Sequence, residues 1–388
     1  MKFFLDRTKG DKVIWMVVIL LSLISLLAVY SSTGTLAYAK GTKITYYVIK
    51  HIAVMLGGLV LMYVSHLIDY RYYSRIAQLL LYLSIPLLFY TLFFGTDINY
   101  AKRWLTVPVI NLTFQTSDLA KLALIMFTAR SLSRKQHAMG NFYEGFLPIL
   151  LPILIVTVLI APEDFSTALV TFATCVLLIF IGRMHIKFIA GLLGSSTVAI
   201  AFFVMMLFML PEESMKGRML TWKGRIESFV AQDAEDPYQV QQAKIAIAKG
   251  GIFRIAPGNS TQRNYLPHPY SDFIYAIIIE EYGLMGGAVI IILYLIFLYR
   301  CVRIVIKAPK AFGALLAVGL GFSLVIQAMI NMGVAVNLLP VTGMTLPLVS
   351  MGGSSLLFTS FAIGIILSVS KHIEDIDVIE KEAVLLTK

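Results

Sequence analysis

The sequence predicts an all-α polytopic membrane protein: one transmembrane domain, 1–388, of about ten membrane-spanning helices with both termini cytoplasmic. Three observations predict it. Hydrophobic residues make up 58% of the chain and charged residues 14%, against about 45–50% and about 25% in soluble domains; the mean hydropathy of +0.82 agrees. Apolar segments recur at 13–33, 47–67, 76–94, 117–133, 145–161, 165–182, 187–210, 272–299, 311–334 and 349–370, most of them matching the roughly 17–25 residues that cross a bilayer. Basic residues concentrate in alternate loops, which orients the spans. A soluble enzyme on one anchor is excluded, because an anchor uses only about 20 residues.

Each element has its own justification. The first span follows Lys2, Arg7, Lys9 and Lys12, lacks a small-residue cleavage site and is followed by further spans, so it is not a cleaved leader. Spans two and three meet near Arg71 and Arg75. The fourth is short and carries Asp118 and Lys121; it is retained because deleting it would invert every later loop. Arg130, Arg134 and Lys135 follow it, and Arg183 and Lys187 join spans six and seven. A long loop, 211–271, falls on the outer side. Its stretch Tyr238–Lys249 has apolar residues at helical spacing, and Gly250 and Gly251 read as a stop. Spans eight and nine meet at Arg300, Arg303, Lys307 and Lys310. The tail, 371–388, carries Lys371, Lys381, Lys388 and an acidic run from Glu374 to Glu382 that reads as a solvated cytoplasmic end. The opposite short loops hold only Lys40, Lys43, Lys102 and Arg103.

The net charge of +10 is explained by this arrangement, and no nucleic-acid partner is expected. Cys175 lies in an apolar run and Cys301 in a basic loop, so no disulfide framework is expected. No internal repeat supports a transporter of duplicated halves. Cys/His metal spacing, a nucleotide-binding glycine loop and a nucleophile elbow are all missing from the sequence.

Four blocks on the outer side carry the chemistry. The first joins Asn99–Trp104 to Phe114–Lys121. Lys102 and Arg103 beside Trp104 either anchor the chain at the interface or form a cationic seat for a phosphate-bearing substrate. Asp118 and Lys121, three apart on a helix, can pair. The second is Pro162–Thr167, where Asp164 could simply be an N-cap. The third is Leu266–Tyr275, in which Asp272 opens span eight. Glu280 and Glu281 lie deeper in the same helix, where ionised groups are costly; they either hydrogen-bond neighbouring helices or shape a hydrophilic cavity. The fourth, Asn337–Ser355, is uncharged but rich in Pro, Gly and hydroxyls. Irregular backbone at membrane depth must be buried in protein or line a cavity.

In this order and spacing the four blocks resemble the FtsW/RodA (SEDS) family of cell-wall proteins across nearly the whole chain. Asp118 stands where the family has Glu; Pro162, Glu163 and Ser166 replace Gln, Pro and Gly around Asp164; Tyr270 and Ser271 replace His and Thr before Asp272; Ile279 replaces Gly or Ala, and Met351 replaces Tyr. Leu338–Gly343 resembles the elongation branch, RodA. Thr345–Pro347 and the spacing from Arg218 to Tyr238 resemble the division branch, FtsW, which is preferred.

The resemblance implies a peptidoglycan glycosyltransferase that polymerises lipid II at the outer face of the bacterial plasma membrane, with inversion, in partnership with a single-span class B penicillin-binding protein and other division or elongation proteins. Asp272 is then the general base. The expected substrate-binding residues are Arg103, Lys121, Lys102, Trp104, Gln115, Asp118, Asp164, Arg218, His268, Glu280, Glu281, Ser354 and Ser355. No organic cofactor is implied; a divalent cation, Mg or Mn, could bridge the diphosphate to Asp118 and Asp164. Two other readings stand beside it: a lipid II flippase, to which Glu280 and Glu281 would supply a polar path, and a non-catalytic division scaffold.

Overall fold

The computed structural model describes residues 9–39, 41–98, 101–107, 112–211, 218–230, 237–254 and 256–386. Lys2, Arg7, Lys40, Asn99, Tyr100 and Lys388 lie outside them. All ten expected spans are helices: Lys12–Ser32, Ile44–Leu67, Tyr73–Phe94, Thr116–Arg134, Leu147–Ile160, Phe165–Ile181, Ile186–Met209, Ile274–Lys307, Ala311–Ala335 and Gly353–Leu386. Among the described residues, eight helical segments are long and apolar enough to cross a membrane. Phe165–Ile181 is apolar but shorter. Thr116–Arg134 is far less apolar, and it survives in the core because it is covered: Ala120, Ala123, Leu124, Met126 and Ala129 are all fully buried. Burial by neighbouring helices, not lipid exposure, permits its polar residues.

The basic residues that set the orientation sit at helix ends. Arg71 is in the turn Tyr70–Tyr72, Arg134 ends its helix, and Lys187 and Lys307 occupy the first and last turns of theirs. Asp11 caps the first helix by accepting from the amides of Val13 and Ile14 and also pairs with Arg300.

Several expectations need correction. Cys301 is fully buried inside the Ile274–Lys307 helix, not in a loop. The acidic tail is not simply solvated: the last helix continues to Leu386, Glu374 accepts from the amide of Gly10 at 2.6 Å, and Asp375 pairs with Lys9 at 2.8 Å. Between the third and fourth spans lies a three-stranded antiparallel sheet, β1 Thr96–Ile98, β2 Ala101–Val107 and β3 Leu112–Gln115, with Trp104 opposite both Thr96 and Gln115. Its β-branched and aromatic residues suit a pleated surface. The outer loop forms the expected helix, Tyr238–Gly250, ended by Gly251 at φ 58°, and an unexpected one, Arg218–Val230.

The eighth span is not one continuous helix. It breaks at Gly283, which has φ 70°, a left-handed conformation natural to glycine. The outer loop enters the break and meets the backbone groups it frees. Leu284 donates to the carbonyl of Gly251 at 2.9 Å, Met285 to that of Ile252 at 3.3 Å, and Ala256 to that of Glu281 at 2.9 Å. A side chain at Gly283 would come within 2.5 Å of the Ile252 carbonyl oxygen. The break is a docking point for the loop, which pairs three of the backbone groups there.

Candidate active site

Asp272 does not cap the eighth helix. That helix begins at Ile274 behind Phe273, and Asp272 sits in the turn just before it. Glu280 and Glu281 lie in that helix and Asp272 does not, although the sequence suggested one shared helix. The turn is held through its carbonyls. Tyr270 accepts from the amide of Met351 at 2.9 Å, Ser271 from the hydroxyl of Ser350 at 2.6 Å, and Asp272 from the Asn331 amide group at 2.9 Å. The same Asn331 nitrogen donates to the Met344 carbonyl at 2.6 Å. Three successive backbone acceptors are thus fixed by the irregular 344–351 segment and the ninth span. This anchoring positions the Asp272 side chain without using its carboxylate.

Among the described residues that carboxylate forms no salt bridge. Gly343, at φ 72°, faces it; a side chain there would lie 3.7 Å from Oδ2. Burial raises the Asp272 pKa above the ordinary carboxylate value, and Ser271, His268, Arg103 and Arg225 oppose the shift without cancelling it. Desolvation is the winning effect. His268, at φ 53°, holds the Tyr270 hydroxyl at 3.2 Å.

A second cluster lies across from it. Asp164 caps the sixth span by accepting from the Thr167 amide at 3.0 Å, as expected of an N-cap. Its other oxygen takes Arg103 at 2.8 Å and the Gln115 side chain at 3.3 Å. The Gln115 amide in turn donates to Ser354 at 3.1 Å. The sheet therefore delivers Arg103, Trp104 and Gln115 to one polar junction; Trp104 is half-buried beside it. Lys102 is in β2 by its backbone, and its side chain lies outside the described residues.

Asp118 and Lys121 do pair, at 3.7 Å, and Lys121 also donates to Gln327 at 2.8 Å. Gln327 continues to the Thr345 carbonyl at 3.0 Å, and Thr345 meets Ser355 at 3.1 Å. Lys121 thus sits in a buried polar chain linking the fourth and ninth spans to the 344–355 segment. Asp118 lies within electrostatic reach of Arg103 and Asp164. The two carboxylates named for a cation, Asp118 and Asp164, differ in how far they are engaged. Both Asp164 oxygens are committed, Asp118 Oδ2 is the uncommitted atom of the pair, and among the described residues no three His, Cys, Asp or Glu side chains converge.

Sequence reasoning missed Arg225. It lies seven residues, two helical turns, after Arg218, and that spacing was the available signal. Both arginines line a cavity of about 210 Å³ whose polar end is Asp164 and whose walls are Phe165, Phe203, Trp222, Ile330, Val341 and Met344. Arg218 donates to the Glu163 carbonyl. Burial, then the nearby Arg103, lowers the pKa of both guanidinium groups, yet arginine stays charged. The cavity is thus mostly apolar, with Arg218, Arg225 and Asp164 as the charged groups in its lining.

Glu280 and Glu281 are not brought into this site. Both are 1% exposed. Glu280 accepts from the hydroxyl of Ser260, from the amide and hydroxyl of Thr261 at 3.0 Å each, and from the Gln262 amide at 3.3 Å. Glu281 accepts from Ser31 and from the Ser260 amide at 3.2 Å. They tie the outer loop to the first and eighth spans.

The comparisons with known proteins agree along the whole length. The family model described as "Cell cycle protein" (FTSW_RODA_SPOVE) matches residues 11–375. The Stage V sporulation protein E of Bacillus subtilis is 33% identical over 376 residues, covering 94% of this chain and 98% of that protein. A probable peptidoglycan glycosyltransferase FtsW of Geobacter metallireducens is 34% identical over 373 residues, covering 94% and 95%. Among solved structures, a chain from a peptidoglycan synthase complex that coordinates polymerization and crosslinking superposes with a TM-score of 0.73 at 24% identity, covering 94% and 98%. The rod shape determining protein RodA of Thermus thermophilus superposes with 0.67 at 22% identity, covering 93% and 97%. With the fold shared and the family pattern matched from Asp11 to Asp375, this chain belongs to the FtsW/RodA/SpoVE family of polytopic membrane proteins.

Proposed function

We propose that this chain is an inverting peptidoglycan glycosyltransferase that polymerises lipid II, with Asp272 as general base, at the outer face of the plasma membrane. The observation that carries the reading is a partly desolvated carboxylate on a turn held through its backbone carbonyls, with no salt bridge among the described residues and within electrostatic reach of two arginines. The activity carried by the names of the FtsW relatives supports the reaction class, and those names favour the division branch.

In the reaction the 4-hydroxyl oxygen of one N-acetylglucosamine attacks the anomeric carbon of a lipid-diphosphate donor. Its proton passes to Asp272, and the bond from the anomeric carbon to the diphosphate oxygen breaks. A raised pKa makes Asp272 a stronger base. The diphosphate leaves without an added proton if fixed cations neutralise it. Arg225 and Arg218 in the lining of the cavity are placed for that, with the apolar walls taking the prenyl chain. Arg103, locked on Asp164, holds the sheet against the sixth span and adds its field to Asp272. A class B penicillin-binding protein is the proposed partner, and both termini of the chain are cytoplasmic.

Purified protein with its candidate transpeptidase should polymerise lipid II in detergent. Lipid II equilibrating across vesicles with no polymer formed in either setting would replace the enzyme by a flippase. Arg103→Ala should mainly weaken donor use, raising the donor KM several-fold; unchanged donor dependence removes Arg103 from the site. The acid limb of the rate profile should lie above the usual carboxylate range, because the base loses activity as it is protonated. Arg225→Gln removes a cation that lowers the Asp272 pKa, so it should move that limb to higher pH. A limb that stays put would separate Arg225 from Asp272.

A further inference from the structure

On the face opposite the active site, three helix ends surround a pocket of about 360 Å³. They are the start of Lys12–Ser32, the end of Ile274–Lys307 and the later part of Gly353–Leu386. Four basic residues line it: Lys12, Arg300, Arg303 and Lys307. Three of them lie at positions i, i+3 and i+7 of one helix, so they share a face.

The acidic groups in the lining are already engaged. Asp11 caps the first helix with one oxygen and takes Arg300 on the other, at 2.7 and 2.6 Å, while Glu374 accepts from the Gly10 amide at 2.6 Å. Arg303, by contrast, makes no hydrogen bond or ion pair among the described residues, and Arg300 keeps its Nη1 for another acceptor. The lining therefore presents cationic donors to whatever enters. Its remaining wall includes the buried apolar side chains of Ile304 and Ile373.

A basic residue that only orients a span needs to reach the membrane surface, not converge on a cavity with its neighbours. Cations beside apolar side chains, at the ends of two spanning helices, match a phosphodiester joined to an acyl chain. We propose that this pocket binds the headgroup of an anionic glycerophospholipid from the leaflet on the side of the chain termini. Occupancy would hold the first and eighth spans together through Lys12, Arg300, Arg303 and Lys307, far from the glycan chemistry and independent of it.

The test uses the full chain reconstituted in phosphatidylcholine membranes with and without phosphatidylglycerol, extracted gently and weighed by native mass spectrometry. Wild type should retain phosphatidylglycerol over phosphatidylcholine. Arg303→Gln with Lys307→Gln should reduce that retention by roughly 25-fold, each basic residue near an anionic headgroup contributing roughly fivefold. Arg134→Gln with Lys187→Gln, the same charge loss elsewhere on that face, should retain it. Equal loss in both double variants would make the effect bulk surface charge and overturn the proposal, as would equal retention of the two lipids by wild type. Thermal protection by inorganic phosphate equal to that by phosphatidylglycerol would assign the pocket to a soluble anion. Should the double variant fail to fold, Arg303→Gln alone carries the comparison, because Arg303 has no structural partner to lose.

Discussion

Asp272→Asn should reduce lipid II polymerisation by about 10²–10⁴-fold, the usual contribution of a positioned general base, while the purified protein stays folded and equally or more resistant to heat in detergent. The second half follows from linkage. The folded protein raises the Asp272 pKa by burial, so the carboxyl binds its proton more tightly folded than unfolded. Stability is therefore greatest below the unfolded pKa and declines as pH rises through the folded one. At neutral pH the buried charge opposes folding, and asparagine removes it without disturbing Asn331, Ser350 or Met351, which grip only the backbone. A mutant with near wild-type polymer would end the assignment of Asp272 as base. A mutant that loses both polymer and thermal stability would make the residue structural.

Glu280→Ala should be the most damaging single change outside the catalytic turn. Its carboxylate gathers two backbone amides and two hydroxyls of the 260–262 segment inside protein. Each buried donor left unsatisfied costs about 1–3 kcal/mol. The expected result is a marked fall in the detergent melting temperature, with amide exchange rising first across 256–262. Loss of lipid transport with unchanged stability and exchange would instead restore the polar path that the two glutamates suggested in the sequence. Their burial and hydrogen bonds to the loop and the first span, and the loop that fills the break at Gly283, withdraw the support that path had.

Apolar run length located every spanning helix except Thr116–Arg134, which needed the alternation of loop charge. That helix is hard to read because it satisfies Asp118 and Lys121 internally and through Gln327; hydropathy has no term for a partner on another helix. The sheet at 96–115 was missed because its strands are too short for period-two patterning to stand out between two spans. Arg225 was missed because the Arg218–Val230 helix was not recognised, although Arg218, Trp222 and Arg225 recur at helical spacing. The acidic residues were found, and so were the Asp164 cap and the Asp118–Lys121 pair; the partners of Asp164 and Glu280 across the fold were not. Asp164 and Glu280 look alike in sequence as outer carboxylates; one binds a guanidinium and the other a loop backbone, and only tertiary structure separates them. Asp272 was placed at the correct boundary, with the helix start two residues too early, since Asn331 and Ser350 hold the turn open from 59 and 79 residues away.

The clasp of Gly10 and Asp11 with Glu374 and Arg300 joins residues up to 364 positions apart. During synthesis the opening span enters the bilayer with the Gly10 amide and one Asp11 oxygen unmatched, and the groups that complete them, Glu374 and Arg300, arrive in about the last quarter of translation. The ring of contacts at that face therefore closes only when the final span has been threaded. A ribosome that stops early releases a chain whose first helix has inserted but has nothing to lean on, a difference that membrane proteases can read.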